Sequence, residues 1–489
     1  MAEGNGLLNR HTGLTRIGGS NPPPSAIAIV GMSCRFAGSP TVDDFWDNIM
    51  SQRSLLTIPG SDVELPIGQE NVFKRPYPSR IGQLGPLFSC VPSMQNFPRK
   101  MNAGENQDLY FATQLAFDAL LDASIRIHSK QPRAGSVRLG YAPPFNASTI
   151  NWLQHTAFLD QTVDIIRRFF PHAPEDQMNM LAKKMVESLP EPNAASFLMG
   201  AGYRFASWIA RETSFAGVAT IMDAGMLTAA AAIKSAMDDL NTMSAEVSLA
   251  GAITPPLSRA YLEGLSGEVD FSDAADFTPF AEEQKGTVPG EGGAFFVLKR
   301  REDALRDHDH IYALVRSVAI GHNPDDDPGF LLQSACDKAD IDPTTIELIE
   351  ADGQGIKAAE ENEIAGIQKL WGEHKPGGPM VGVGSVKGNI GHTLHAAMAA
   401  GVVKAALALN KRVLAPQVMV SRPNEKLSQL SSSAYLLNEP RPWISGRGAE
   451  PRRAAVMGSN FFPVTADGVD ARGGRSAVVI LEEEPEVRT

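Results

Sequence analysis

Apolar positions along the chain follow two recurring arrangements. Met380-Val381-Gly382-Val383-Gly384-Ser385 alternates in the manner of a buried strand, and it runs through the turn Val386-Lys387-Gly388-Asn389-Ile390-Gly391-His392 into a helix predicted from about Thr393 to Asn410. Phe215-Ala216-Gly217-Val218-Ala219-Thr220-Ile221-Met222 leads in the same way into a helix of small residues, and Ile346-Glu347-Leu348-Ile349-Glu350-Ala351 reads as another strand. The runs Ala229-Ala230-Ala231-Ala232 and Ala396-Ala397-Met398-Ala399-Ala400 carry short side chains that let helices approach closely at a buried centre. One strand-turn-helix unit therefore occurs twice, a weak internal duplication. It predicts a first half over residues 26–255, connecting loops and a hairpin over 256–310, and a second half over 311–489.

Residues 143–198 differ in character. Trp152, Leu153, Phe158, Leu159, Val163, Ile166 and Phe169 recur near helical spacing with Asp164, Arg167 and Arg168 between them. This predicts amphipathic helices that cap the core or meet a partner subunit.

Glycines in the 386–392 turn permit tight bending and close backbone approach. A helix start there places Lys387 and His392 where free N–H groups favour anionic ligands. His395 follows His392 by three residues, but no further ligands stand at recognisable spacing, so no metal is expected.

Composition narrows the class. At 489 residues and 43% hydrophobic, the chain can bury a large core or two similar halves. With 44 basic against 56 acidic residues, its net charge of -12 carries no nucleic-acid footprint. No apolar run is long enough to cross a bilayer, and residues 1–25, rich in Gly, Asn and Pro, read as a flexible leader without a signal-peptide core. Cys34, Cys90 and Cys336 are scattered without metal spacing, so disulfides are not expected and a cytoplasmic location fits. No cofactor is predicted.

Several motifs in order carry a resemblance. Ile27-Ala28-Ile29-Val30-Gly31-Met32-Ser33-Cys34-Arg35-Phe36-Ala37-Gly38 is similar to the opening strand and turn of β-ketoacyl synthases, in particular the ketosynthase domains of modular polyketide synthases. Arg99-Lys100-Met101, Thr278-Pro279-Phe280, Gly290-Glu291-Gly292-Gly293-Ala294, Glu439-Pro440-Arg441-Pro442-Trp443 and the closing strand Ser476 to Glu483 resemble the same family. The likeness spans Ala26 to Glu483. It implies the thiolase fold, an α/β arrangement of two similar βαβαβαββ halves in five α-β-α-β-α layers.

The resemblance also locates departures. Where the family has Asp-Thr-Ala-Cys, whose cysteine takes the acyl chain, this chain has Asp223-Ala224-Gly225-Met226. Met226 has no ionisable proton, and its sulfur already bears two carbons, so attack on a thioester could give only an unstable sulfonium. Met226 reads as a flexible apolar filler, with Thr228 the nearest hydroxyl. Asp352, in Asp352-Gly353-Gln354-Gly355-Ile356, replaces the first family histidine, and an ionised aspartate accepts hydrogen bonds but donates none. It would repel a malonyl carboxylate unless Lys387 or a protonated His392 neutralised it, and its alternatives are a turn cap or an internal ion pair. Ser459-Asn460-Phe461-Phe462-Pro463-Val464 replaces a glycine-rich family turn; Phe462 aligns with a gating phenylalanine, and Pro463 has no N–H to donate. Lys387 and His392 are retained, with Glu363 the carboxylate expected to help Lys387 orient His392.

These changes act on one catalytic unit, so condensation is not expected from this chain alone. The leading expectation is a silent subunit that forms a heterodimer with an active ketosynthase, similar to a chain-length factor, and shapes the tunnel for an acyl or polyketide chain delivered by an acyl carrier protein. Family dimers associate through the strand near Phe215 to Met222. The alternatives are an enzyme redirected to acyl transfer or decarboxylation through His392 and Asp352, and a homodimeric carrier-docking scaffold.

Overall fold

The structure, a computed structural model, describes residues 26–59, 78–84, 107–127, 131–142, 152–189, 202, 204–272, 277–283, 286–322, 327–372, 380–430, 433–444, 450–460, 464–465, 468–469 and 474–485. The expected leader, Arg99-Lys100-Met101, Cys90 and the residues Phe461, Phe462 and Pro463 lie outside them.

The first half is built from β1 (Ile27–Phe36), α1 (Val42–Met50), α2 (Gln107–Asp122), β2 (Gly135–Gly140), α3 (Leu159–Phe169), α4 (Glu175–Glu187), α5 (Arg204–Thr213), β3 (Ala219–Met222), α6 (Thr228–Asn241), β4 (Val247–Thr254), α7 (Arg259–Leu265) and β5 (Gly292–Arg300). After α8 (Arg301–Asp307) come β6 (Ala313–His322), α9 (Phe330–Ala339), β7 (Leu348–Glu350), α10 (Lys357–Trp371), β8 (Val381–Gly384), α11 (Lys387–Ile390), α12 (Ala397–Lys411), β9 (Ala434–Leu436), β10 (Arg453–Ser459) and β11 (Arg475–Glu482).

The duplication is explicit in the pairing. The first half runs β3-β2-β4-β5-β1 and the second β8-β7-β10-β11-β6, with β9 added at its edge. In each, the strands before and after the outer crossover helix pair in parallel, and the last two pairings are antiparallel. A short antiparallel contact of β1 with β6 joins the halves into one 11-stranded sheet. Strand β5 comes from the stretch expected to hold only connecting loops and a hairpin, and it completes the first half's sheet between β1 and β4.

Side-chain alternation explains how one strand serves two layers. In β1, Ile27 and Ile29 face the central core while Ala28 and Val30 face the outer one; a register shift between Ile29 and Gly31 then returns Met32, Cys34 and Phe36 to the central side. The central core is made by α6 and α12, which present Ala229, Ala230, Ile233 and Ala236 against Ala399, Ala400, Val403 and Ala406 between the two sheets. Helices α2 and α5 cover the outer face of the first sheet, and α9 and α10 that of the second. This gives the five layers of the thiolase fold.

Three local expectations change. Of the stretch 215–222 only Ala219–Met222 is strand, because Phe215 makes an isolated bridge to Arg133 instead. The helix after the 386–392 turn begins as a 3-10 turn, Leu394–Ala396, before α12. In the cap, the apolar residues divide between two faces: Val163 is buried, whereas Phe158 (49%) and Phe169 (77%) are exposed.

Candidate active site

The turn after β3 is held from beneath by Thr228. Its hydroxyl donates to the Gly225 carbonyl at 2.6 Å and accepts the Ala224 N–H at 2.9 Å, and Gly225 takes a left-handed φ of +64°. Thr228 is fully buried, so this hydroxyl is a structural cap on the turn. Met226 is half-buried and rests on an apolar cluster that includes Ile81, Leu257, Leu262, Leu265, Phe271 and Leu394. That environment fits a polarisable filler rather than an ionised group. The Met226 N–H donates to the Asn460 side-chain oxygen at 2.8 Å.

Asp352 lies at the end of β7, 3% exposed. One oxygen accepts from the Lys387 ammonium at 2.6 Å; the other accepts from the Ser459 N–H at 2.8 Å, the Ser459 hydroxyl at 2.7 Å and the Gln354 amide at 2.7 Å. Burial opposes ionisation of this carboxyl, but the Lys387 charge and the hydrogen bonds outweigh it and hold the pKa below the ordinary value. Lys387 also donates to the Asp352 carbonyl at 2.6 Å.

Glu363, on α10, therefore does not pair directly with Lys387. It accepts the N–H groups of Asp352 and Gly353 at 2.7 and 2.9 Å, while Glu360 accepts those of Gly355 and Phe280 at 3.0 and 2.9 Å. Together the two carboxyls clamp the 352–355 turn. Burial, with the Asp352 charge added, pushes Glu363 up to about 7, and burial pushes Glu360 up to about 8.

His392 is fully buried on the loop between α11 and α12. Its N–H donates to the Val288 carbonyl at 2.7 Å and its carbonyl accepts from Gly290 N–H at 2.8 Å. Glycine is needed at 290, where a Cβ would stand 2.4 Å from the Ile390 oxygen. The ring Nδ1 accepts the Leu394 N–H at 3.1 Å, which puts the proton of the neutral ring on Nε2. Burial, then the Lys387 charge, lowers its pKa to about 3, so the ring is neutral at physiological pH. His395 sits on the following 3-10 turn, buried, with its pKa lowered by desolvation. Among the described residues no group of three or more His, Cys, Asp or Glu is arranged to hold a metal.

A second buried ion pair braces the loop. Glu350 accepts the Val386 N–H at 2.6 Å and pairs with Lys404 of α12 at 2.7 Å. Lys404 was legible as an anomaly, a lysine inside the apolar run Val402-Val403-Lys404-Ala405-Ala406. The contacts of Ser459 with Asp352 and of Asn460 with Met226 carried no such signal, since they span 107 and 234 residues of sequence, whereas Gln354 reaches Asp352 from two residues away. The structure thus brings Asp352 and Lys387 into contact, sets His392 on the same loop as Lys387, and links Met226 to them through Asn460 and Ser459. Chemically, the site offers a neutral imidazole N–H and a carboxylate whose oxygens are already engaged, with no ionisable group at 226.

Paired halves around two central helices, each entered from a strand-turn unit that carries the site, define the scaffold of a thiolase-fold condensing enzyme. A model described as the β-ketoacyl synthase N-terminal domain matches residues 25–304, one described as the C-terminal domain matches 320–421, and the chain belongs to the β-ketoacyl synthase family. Methylphloroacetophenone synthase of Cladonia uncialis is 25% identical over 478 residues, covering 94% of this chain and 16% of that protein. Polyketide synthase PksL of Bacillus subtilis is 26% identical over 481 residues, 95% of this chain and 10% of that one. The chain thus spans less than a fifth of either relative's length. Among solved structures, the PfaC ketosynthase–chain length factor shares the fold with a TM-score of 0.74 at 24% identity, over 95% of this chain and 49% of that one. No helix among the described residues is long and apolar enough to cross a membrane.

Proposed function

We propose that this chain is a ketosynthase-like subunit without condensing activity of its own, which pairs with an active ketosynthase and helps shape the acyl tunnel during polyketide or fatty-acyl assembly. The observation that carries the reading is the engaged state of Asp352. Lys387, Ser459 and Gln354 occupy its oxygens, so the position can neither donate to a thioester carbonyl nor leave Lys387 available to a substrate carboxylate. Met226 adds the loss of the nucleophile.

Pairing is supported by β3, which lies at the outer edge of the sheet, half-buried along its length, beside an exposed Val218. An acyl carrier protein would deliver the chain to the active partner. Native mass spectrometry after co-expression with a ketosynthase that has its cysteine and both histidines should give a one-to-one complex. Persistent homodimers, or carbon dioxide release from malonyl carrier protein by this chain alone, would overturn the reading.

A further inference from the structure

A cavity of about 840 Å3 opens at the end of the first half where β2 and β4 begin, the opposite strand ends from the Met226 turn. It lies between the end of α2, the segment before β2, the end of β5 and α8. Its size is that of a pocket for a small organic ligand, about 300 to 1,000 Å3.

The charges lining it sort into two groups. One is a linear chain of ion pairs: Lys299 with Asp307 (2.6 Å), Asp307 with Arg306 (2.9 Å), Arg306 with Asp303 (2.6 Å), and Asp303 with Arg300 (2.5 Å), with Asp309 pairing Lys299 from outside the lining. With Asp309 behind the lining counted, three cations meet three carboxylates, so this wall is neutral. The other group is Arg126 and Arg133 with Glu246. Neither arginine is paired with a carboxylate among the described residues, and the Arg133 main chain is fixed by bonds to Ser214 and Ala216. Ile125, Pro132 and Val247 supply apolar surface beside them.

We propose that this cavity binds an organic phosphate. A guanidinium presents parallel donors that match phosphate oxygens, and two of them offset a dianion better than a monocarboxylate. The neutral wall neither competes for the arginines nor repels the ligand, and the apolar patch receives its carbon body. Glu246 opposes the anion, so it sets an upper limit on affinity.

Isothermal titration of the full chain with phenyl phosphate, inorganic phosphate and phenyl acetate tests the assignment. Saturable binding is expected for phenyl phosphate, tighter than for inorganic phosphate and absent for the uncharged ester. Arg126→Ala with Arg133→Ala should weaken it at least about tenfold, whereas Glu246→Gln should tighten it. These are surface changes, and circular dichroism checks that the variants fold. No saturable binding of phenyl phosphate, or equal affinity in the double variant, overturns the site; equal affinity for phenyl and inorganic phosphate overturns its organic half. None of these outcomes depends on the Met226 site or on a partner subunit.

Discussion

The main-chain N–H of Met226 donates to the side-chain oxygen of Asn460 across 234 residues of sequence, at 2.8 Å. Asn460 follows Ser459, whose N–H and hydroxyl both bind Asp352, and Asp352 in turn holds Lys387. This run of contacts therefore joins the Met226 turn to the Asp352 turn. A donor aimed at developing charge is among the strongest devices a catalytic site can have, and the N–H at 226 is engaged by an internal partner.

Restoring residue types alone should consequently fail. Met226→Cys with Asp352→His is expected to show little acyl loading from an acyl carrier thioester, followed by intact-protein mass. Adding Asn460→Gly frees the N–H at 226 and should raise loading about a hundredfold, the scale of one such donor. Equal loading of the double and triple variants would reject the role given to Asn460.

Lys387→Met leaves Asp352 buried with its charge uncompensated and should lower stability by about 3–5 kcal/mol in urea denaturation. Lys387→Met with Asp352→Leu should recover much of that loss, because both charges leave together. A single variant as stable as the wild type would show that Asp352 is neutral in the folded protein.

The turn cap gives a smaller effect. Thr228→Val removes the hydroxyl that serves Gly225 and Ala224 and should cost about 1–3 kcal/mol, while Thr228→Ser should cost less. Thermal unfolding of the two variants side by side decides this.

Glu363 and Glu360 have folded-state pKa values raised to about 7 and about 8 by burial. Between the ordinary carboxylate range and those values the folded chain keeps protons that the unfolded chain has released. Their contribution to stability is thus fully present at low pH and falls as pH rises through about 7 and about 8. Asp352, with its pKa lowered, has the opposite sign and loses its contribution only in acid. Urea midpoints at about pH 5.5, 7 and 8.5 should fall more steeply for the wild type than for Glu363→Gln or Glu360→Gln, these being assay settings about 1.5 pH units on either side of neutrality. Parallel slopes would refute this assignment.

Much of the fold was legible along the chain, because periodicity and small-residue content are local properties. Met380–Ser385 announced β8, and the alanine runs announced α6 and α12 as central helices. The cap was harder to read: a helix with apolar residues on two faces has a spacing that does not say which face the fold covers, so Val163 could not be told from Phe169. The place of β5 within the first half's sheet is set only by β1 and β4 on either side of it, which no local pattern states.

At the site, sequence alone determined the chemical inventory: a thioether at 226, a carboxylate at 352 and an imidazole at 392. Tertiary structure decided the pairing. Whether Lys387 would serve Glu363, Asp352 or a ligand depends on distances set by α10, α11 and the end of β10. Buried charges settle with whichever partner lies within hydrogen-bond reach, since an unmatched charge in low dielectric is costly, and that reach is a property of packing.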